Sequence, residues 1–209
     1  MHIAIRATPS QQKELMEKGL PENITVQWIE PGGTFTGAVA DAFFDLCFND
    51  TNVQANTFTD NTLVFVHAVN CTGQQINRSN YVRLNAWPGF LKRSVIELVC
   101  SDSATVQKAE AILKKLNWQF IWVEDDYGFI AARIIAMIIN EAYFALEDNV
   151  STKQQIDIAM RLGTNYPYGP FEWVEKIGLK NIHNLLSRLA EKDMRYTIAA
   201  SLEHESQQT

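Results

Sequence analysis

The sequence predicts an α/β domain with a mainly parallel sheet over residues 1–125, followed by an all-α domain over residues 126–209. Three observations carry this reading. Short apolar runs of strand length alternate with helical patterns in the first part. One of them, Thr62–Val69 (TLVFVHAV), is continuous rather than alternating, as strands covered on both faces are. From Phe129 to Leu146 almost every position is apolar, for longer than any strand runs.

The elements follow in order. His2–Ala7 is a first strand, and Pro9 and Ser10 open a helix through Leu15 and Met16 that Gly19 caps. Ile24–Ile29 is a second strand, and PGGTFTG, residues 31–37, is a loop in which Gly32 and Gly33 make a flexible turn. Ala42–Phe48 is a dense apolar run rich in aromatics, and Thr62–Val69 is the clearest buried strand. Tyr81–Trp87 and Val95–Cys100 are further strands, Ala104–Leu116 is an amphipathic helix with Ala109, Ile112, Leu113 and Leu116 on one side, and Phe120–Val123 closes the sheet.

In the second domain only Arg133, Asn140 and Glu141 interrupt Phe129–Leu146, which reads as a buried helix. The same residues break any apolar run of the ~20 that a membrane span needs. Ser151 with Gln154 three residues later is a capping box, and Ile156, Ala159 and Met160 are the stripe of a second helix that stops at Gly163 and folds back on the first. TNYPYGP is built from backbone-restricting residues and leads to a third helix, Phe171–Ile177, closed by Gly178. Ile182, Leu185, Leu186 and Leu189 form the core face of a fourth, with His183 on its polar side, and Glu203–Thr209 is a polar tail expected to fray.

Composition excludes some classes of function. The 209 residues are 46% apolar and 20% charged, enough to bury a core in one domain or two small ones. A net charge of -6 argues against nucleic acid or an anionic membrane as partner, since both select a basic face. Cys47, Cys71 and Cys100 are odd in number, far apart and set in apolar runs, so they read as reduced core residues of a cytoplasmic protein. Gln11, Lys13 and Glu14 precede any long apolar stretch, so no signal peptide is expected. No His, Cys or carboxylate set has metal-ligand spacing, and no Ser or Cys lies in a nucleophile motif.

GFIAARI at 128–134, INEA at 139–142 and IDIAMRLGTNYPYGPFEWVEKIGL at 156–179 resemble, in this order and at these separations, the C-terminal helical domain of the 3-hydroxyacyl-CoA dehydrogenase family. In that family a Rossmann domain carries NAD, and the helical domain closes over the substrate and forms most of the dimer interface. The resemblance therefore implies a shortened Rossmann-like parallel-sheet domain followed by a helical domain of the 6-phosphogluconate-dehydrogenase C-terminal type. It also implies a homodimer through the C-terminal helices and an acyl-CoA-like ligand.

Several site residues depart from the family pattern. A dinucleotide turn needs glycines directly after the first strand, so that backbone approaches the pyrophosphate at a helix N-terminus. Here that turn reads Arg6, Ala7, Thr8, Pro9, which supplies no glycine and one amide fewer, and Gly32–Gly33 follows the second strand instead. No cofactor is therefore expected. The family's catalytic His heads an HFFNP stretch; LNAWP is the match, so Leu84 stands where the base belongs. Losing a general base removes about 10²- to 10⁴-fold in rate. Ala132 replaces the family's Asn beside the retained Arg133. Glu97, in SVIELV, lies one residue further from Pro88 than the family's catalytic Glu; it is the candidate catalytic carboxylate and equally a strand-end carboxylate facing solvent. Asn70 and Thr72 match a turn that helps to place substrate in the family and are the candidate substrate-binding residues, although Asn-Cys-Thr-Gly is also an ordinary turn. His67 is either a stand-in base or, the better reading, a satisfied core histidine.

Two functions compete on this sequence. The first is a diverged family protein without redox activity that binds an acyl-CoA-like ligand or dimerises. The alternative is an NAD-dependent 3-hydroxyacyl-CoA dehydrogenase, oxidising 3-hydroxyacyl-CoA to 3-oxoacyl-CoA in fatty acid metabolism, with an unorthodox site using Glu97, Thr72 or His67.

Overall fold

The computed structural model describes residues 1–57 and 62–208, and the chain divides into two compact units, Met1–Phe129 and Ile130–Thr209. The first is built on one seven-stranded sheet: β1 (His2–Arg6), β2 (Thr25–Ile29), β3 (Ala42–Asp45), β4 (Leu63–His67), β5 (Tyr81–Leu84), β6 (Val95–Val99) and β7 (Gln119–Trp122), in the order β2-β1-β3-β4-β5-β6-β7. β1 to β5 are parallel, β6 runs antiparallel to β5, and β7 is parallel to β6. The reversal follows from the short β5–β6 connection, residues 85–94, because a parallel crossover takes a dozen or more residues. Helices α1 (Pro9–Lys18), α2 (Gly73–Ile76) and α3 (Ser103–Lys115) complete the unit. The mainly parallel α/β reading of the sequence is borne out.

The continuous apolar character of β3 and β4 has its reason in two covered faces. Ile3, Ile5, Phe44, Phe65, Leu84 and Leu98 pack with Ile112 and Leu113 of α3 on one side. Ala4, Phe43, Val64 and Val66 pack with Phe35, Phe48 and Ile76 on the other. Phe44 and Phe65 are paired in register and stack at 4.5 Å between centroids, and Trp118 meets Phe44 edge-on at 5.8 Å.

Charged side chains also lie inside this layer. Arg83 of β5 is 1% exposed. Its Nε and Nη2 donate to the Ala68 carbonyl at 3.1 and 2.9 Å, Nη2 to the Asp126 carbonyl at 3.1 Å, and Nη1 to the Asp125 carboxylate. Asp125 also accepts from the amides of Gly73 and Gln74 at 2.8 and 3.2 Å. The ring of Phe129 lies 4.8 Å from the guanidinium carbon.

The second unit is all helical: α4 (Ala131–Glu147), α5 (Lys153–Thr164), α6 (Pro170–Ile177), α7 (Leu179–Ala190) and α8 (Ala200–Gln208). Its core takes Ile135, Ile139 and Tyr143 from α4, Phe171 and Trp173 from α6, and the α7 stripe Ile182, Leu185, Leu186 and Leu189, with Leu202 from α8. Five details differ from the sequence expectation. α4 is not buried all round, since Ile130 before it and Ile134 on it are about half exposed. Thr152 with Gln155, not Ser151 with Gln154, forms the capping box of α5, because the Ser151 hydroxyl donates to the Gln155 side chain instead. α5 runs through Gly163 to a left-handed Asn165. The tail as far as Gln208 is helix rather than fray, anchored by buried Leu202 and by Glu205, whose carboxylate accepts from Lys153 Nζ at 2.7 Å; Thr209 lies outside the described residues. His183 is half-buried, with Nε2 inside the unit, rather than on an open polar face.

The start of α6 depends on one glycine. Asp157 Oδ1 accepts from the Phe171 amide at 2.8 Å, which draws the α5 backbone against Gly169. A Cβ at 169 would lie 2.5 Å from Asp157 Cα. Gly169→Ala is expected to lower stability by about 1–3 kcal/mol; urea unfolding with an unchanged midpoint would contradict this packing.

Candidate functional site

β1 lies between β2 and β3, so the chain leaves β1 to one side and returns on the other. In open α/β sheets such a switch point opens a crevice at the carboxyl ends of the strands, where ligands bind. Here Arg6 ends β1 and Asp45 ends β3, opposite each other in register. Arg6 Nε donates to Asp45 Oδ1 at 2.8 Å and Nη2 to Oδ2 at 2.6 Å, a two-point ion pair. Burial pushes the Asp45 carboxyl up, while Arg6 and the Cys47 amide pull it back. Arg6 Nη1 also donates to the Gly33 carbonyl at 3.1 Å. A Cβ on Gly33 would meet Ile29 Cγ2 at 2.7 Å, so it is the close approach to Ile29 that asks for a glycine at 33, whereas a Cβ on Gly32 would meet nothing among the described residues.

The helix that follows β1 is capped from within. Gln11 Oε1 accepts from the Thr8 amide at 2.9 Å, and Thr8 Oγ1 accepts from the Gln11 amide at 3.3 Å. The other end of the Gln11 side chain, 8% exposed, donates to the carbonyls of Leu46 at 2.9 Å and Ala86 at 3.3 Å. These residues do not fit the NAD that the family resemblance implies. Pro9 has no amide, those of Thr8 and Gln11 are already bonded, and the cation beside them is paired with a carboxylate.

Further along the same edge, Leu84 ends β5, 2% exposed, in register with His67 at the end of β4. His67 Nδ1 accepts from the Ala86 amide at 3.0 Å, so the neutral ring carries its proton on Nε2. Burial pushes its pKa down, opposed by Asp50 and Asp45. Asn70 is buried, and its amide and Nδ2 donate to Asp50 at 2.8 and 3.3 Å. The Thr72 hydroxyl caps α2 in a capping box with Gln75. Glu97 of β6, partly exposed, lies one residue before Leu98, the ladder partner of Leu84, and with Asn85 lines a slit of about 10 Å³. The edge thus gathers His67, Asn85 and Glu97 around Leu84, whereas Thr72 is engaged in capping α2 and Asn70 donates to Asp50, its own Oδ1 buried without a partner among the described residues. Ala132 is buried in the first turn of α4. Gln11, Asp45, Asp50 and Arg83 were missed from sequence. A charge inside the strands AFFD and YVRL was the available signal for Asp45 and Arg83; Gln11 and Asp50 offered none.

On the helical unit, an open groove of about 640 Å³ separates α4 from α5. Ile134, Met137 and Ile138 line one wall, Ile156 and Met160 the other, with Arg133, Glu141 and Arg195 as its charged residues. None of α5's described residues is buried. Polar ties hold it instead: Lys153 to Glu205, Arg161 Nη1 to Glu172 at 3.0 Å, and Asp157 to the Phe171 amide. No disulfide joins the described cysteines, no group of His, Cys, Asp or Glu among the described residues has metal-binding geometry, and no helix among them is long and apolar enough to cross a membrane.

With the geometry in place, comparison with known proteins places the second unit. Residues 128–205 match the family model described as 3-hydroxyacyl-CoA dehydrogenase, C-terminal domain. Among curated proteins, the chain is 46% identical over 88 residues to the 3-hydroxyadipyl-CoA dehydrogenase of Escherichia coli K12, covering 42% of this chain and 18% of that one. It is 35% identical over 97 residues to the 3-hydroxybutyryl-CoA dehydrogenase of Bradyrhizobium diazoefficiens, covering 46% and 33%. The chain thus spans a third or less of the length of these two relatives. Its fold resembles the crystal structure of the (S)-3-hydroxybutyryl-CoA dehydrogenase of Ralstonia eutropha with a TM-score of 0.70 at 17% identity, over 97% of this chain and 92% of that one.

The His67 contact makes stability depend on pH. The folded ring takes a proton only below its ordinary value of 6.5, whereas the unfolded ring takes it there. The unfolded state then binds more protons, so stability is full above pH 6.5 and falls as the pH drops below it, by at most about 1.4 kcal/mol per unit. His67→Gln is expected to flatten the dependence of urea midpoint on pH between about 7 and 5. An equally steep dependence in the variant would show that another group sets it.

Proposed function

We propose that this chain, whose residues 128–205 form a C-terminal domain of the 3-hydroxyacyl-CoA dehydrogenase family, has lost the family's redox chemistry and serves as a dimerising protein that binds an acyl-CoA-like ligand. The observation that carries the reading is Leu84. It is buried at the strand end where the resemblance puts the catalytic base, and leucine moves no proton. The first βα turn, where Pro9 has no N–H and the amides of Thr8 and Gln11 are bonded, supports it independently.

The alternative, an NAD-dependent dehydrogenase with an unorthodox site, draws on one observation: His67 is the register neighbour of Leu84. With Nδ1 occupied by the Ala86 amide and the proton on Nε2, however, the neutral ring offers a donor and no free lone pair. Glu97 keeps its carboxylate at the same edge and is the residue on which that alternative rests.

Dimerisation is supported by the α4–α5 groove. Aliphatic side chains left open on a unit whose remaining helices are well packed are a surface that another chain covers. A second copy meets that need by two-fold symmetry, each α4 covering the other's groove. The cysteine usage favours the cytoplasm.

Two experiments test this reading. With acetoacetyl-CoA, the pure protein is expected to consume no NADH; measurable turnover that Glu97→Gln abolishes would establish the alternative. Light scattering is expected to give twice the 23.7 kDa chain mass. Ile134→Asp or Ile138→Asp, each in the groove, should reduce the mass to that of a folded monomer by burying a charge at a cost of several kcal/mol, whereas Ile135→Asp, in the core, should prevent folding. A wild-type monomer at all concentrations would sink the dimer.

A further inference from the structure

We infer that the Gln11 side chain is a built-in plug of the switch-point crevice, so that the sheet edge is complete without a dinucleotide and NAD(H) does not bind there. This deepens the non-redox reading but stands or falls separately from it, since a chain can hold NADH without turning it over.

The plug is legible in the atoms. A primary amide has two N–H donors and one carbonyl acceptor. Gln11 spends both ends: Nε2 on the carbonyls of Leu46 and Ala86, which follow β3 and β5, and Oε1 on the amide of Thr8, which follows β1. One side chain therefore bridges the exits of three strands and supplies donors to two backbone carbonyls that would otherwise want them. The Cys47 thiol also faces Oε1 at 3.8 Å. Opening the crevice means exposing Gln11, stripping those carbonyls and separating Arg6 from Asp45.

The electrostatics point the same way. A pyrophosphate is stabilised by free amides at a helix N-terminus and by unpaired cations. At this turn the Thr8 and Gln11 amides are bonded, Pro9 has none, and an arriving phosphate would meet the Asp45 carboxylate together with Arg6. Those conditions favour the internal amide, which is neutral, over a charged ligand.

The test uses the intact protein with NADH as the probe. Calorimetric titration and thermal unfolding in about 1 mM NADH are expected to give no binding heat and no rise in midpoint, where a Kd of about 10 μM would raise it by several degrees. Gln11→Ala is expected to unfold about 3–8 °C lower, and Gln11→Glu, which keeps the shape but loses both donors, should fall as far. NADH binding by the wild type without turnover would overturn the plug and spare the non-redox reading; binding with turnover would overturn both. Variants as stable as the wild type would show that Gln11 holds nothing together. Should the variants fail to fold, the wild-type titration alone decides.

Discussion

The two-point pair between Arg6 and Asp45 governs the first unit, because it sits at the one place where the sheet reverses its winding. β1 and β3 are neighbours in space but separated in the chain by a helix, a strand and a loop. Their register puts opposite charges side by side, so the guanidinium and carboxylate close the gap that such a reversal leaves. The rest of the edge is arranged around that closure. The Gly32–Gly33 turn folds onto Arg6, the Cys47 amide bonds Asp45, and Gln11 ties in the exits of β3 and β5. A carboxyl edge usually holds polar groups ready for a ligand; at this switch point Arg6 is paired with Asp45 and Gln11 with backbone.

The two units use their free surface in opposite ways. In the sheet unit much of the polar edge is bonded internally, with Asp50 capping the end of β4 and Asp125 capping α2, while Asn70 Oδ1 and Asn85 Nδ2 are buried without a hydrogen-bond partner among the described residues. In the helical unit the apolar face is left open: α5 is held at its polar side by ion pairs, and its aliphatic side chains stand across a groove from those of α4. Apolar area left in water costs about 25 cal/mol for each Å², so the open groove, rather than the closed edge, is where association gains most.

Much of this was legible in the sequence, and the limits have physical reasons. TLVFVHAV read as a buried parallel strand because apolar residues run on without alternation, and β4 is buried on both faces. GFIAARI through EKIGL read as one helical unit because an apolar run too long for a strand is followed by an amphipathic stripe and by a helix bounded by prolines and Gly178. The missing glycines after β1 and the leucine at position 84 were visible because chemistry demands particular residue types there. Gln11 was not, since a glutamine in the first turn of a helix looks like any solvated side chain until the fold carries Leu46 and Ala86 to it. The exposed face of α4 was hidden for a related reason: an all-round apolar pattern does not say which side is covered by the same chain. Thr152 displaced Ser151 as the cap because both hydroxyls compete for Gln155, and only backbone geometry chooses between them.

The central claim, that this sheet edge is completed by the protein's own side chains, is tested most directly by amide hydrogen exchange at Thr8 and Gln11. The account predicts slow exchange at both amides, since each is bonded within the capping box, and rates unchanged by NADH. Fast exchange in the free protein that slows when NADH is added would contradict it, for those amides would then be waiting for a cofactor.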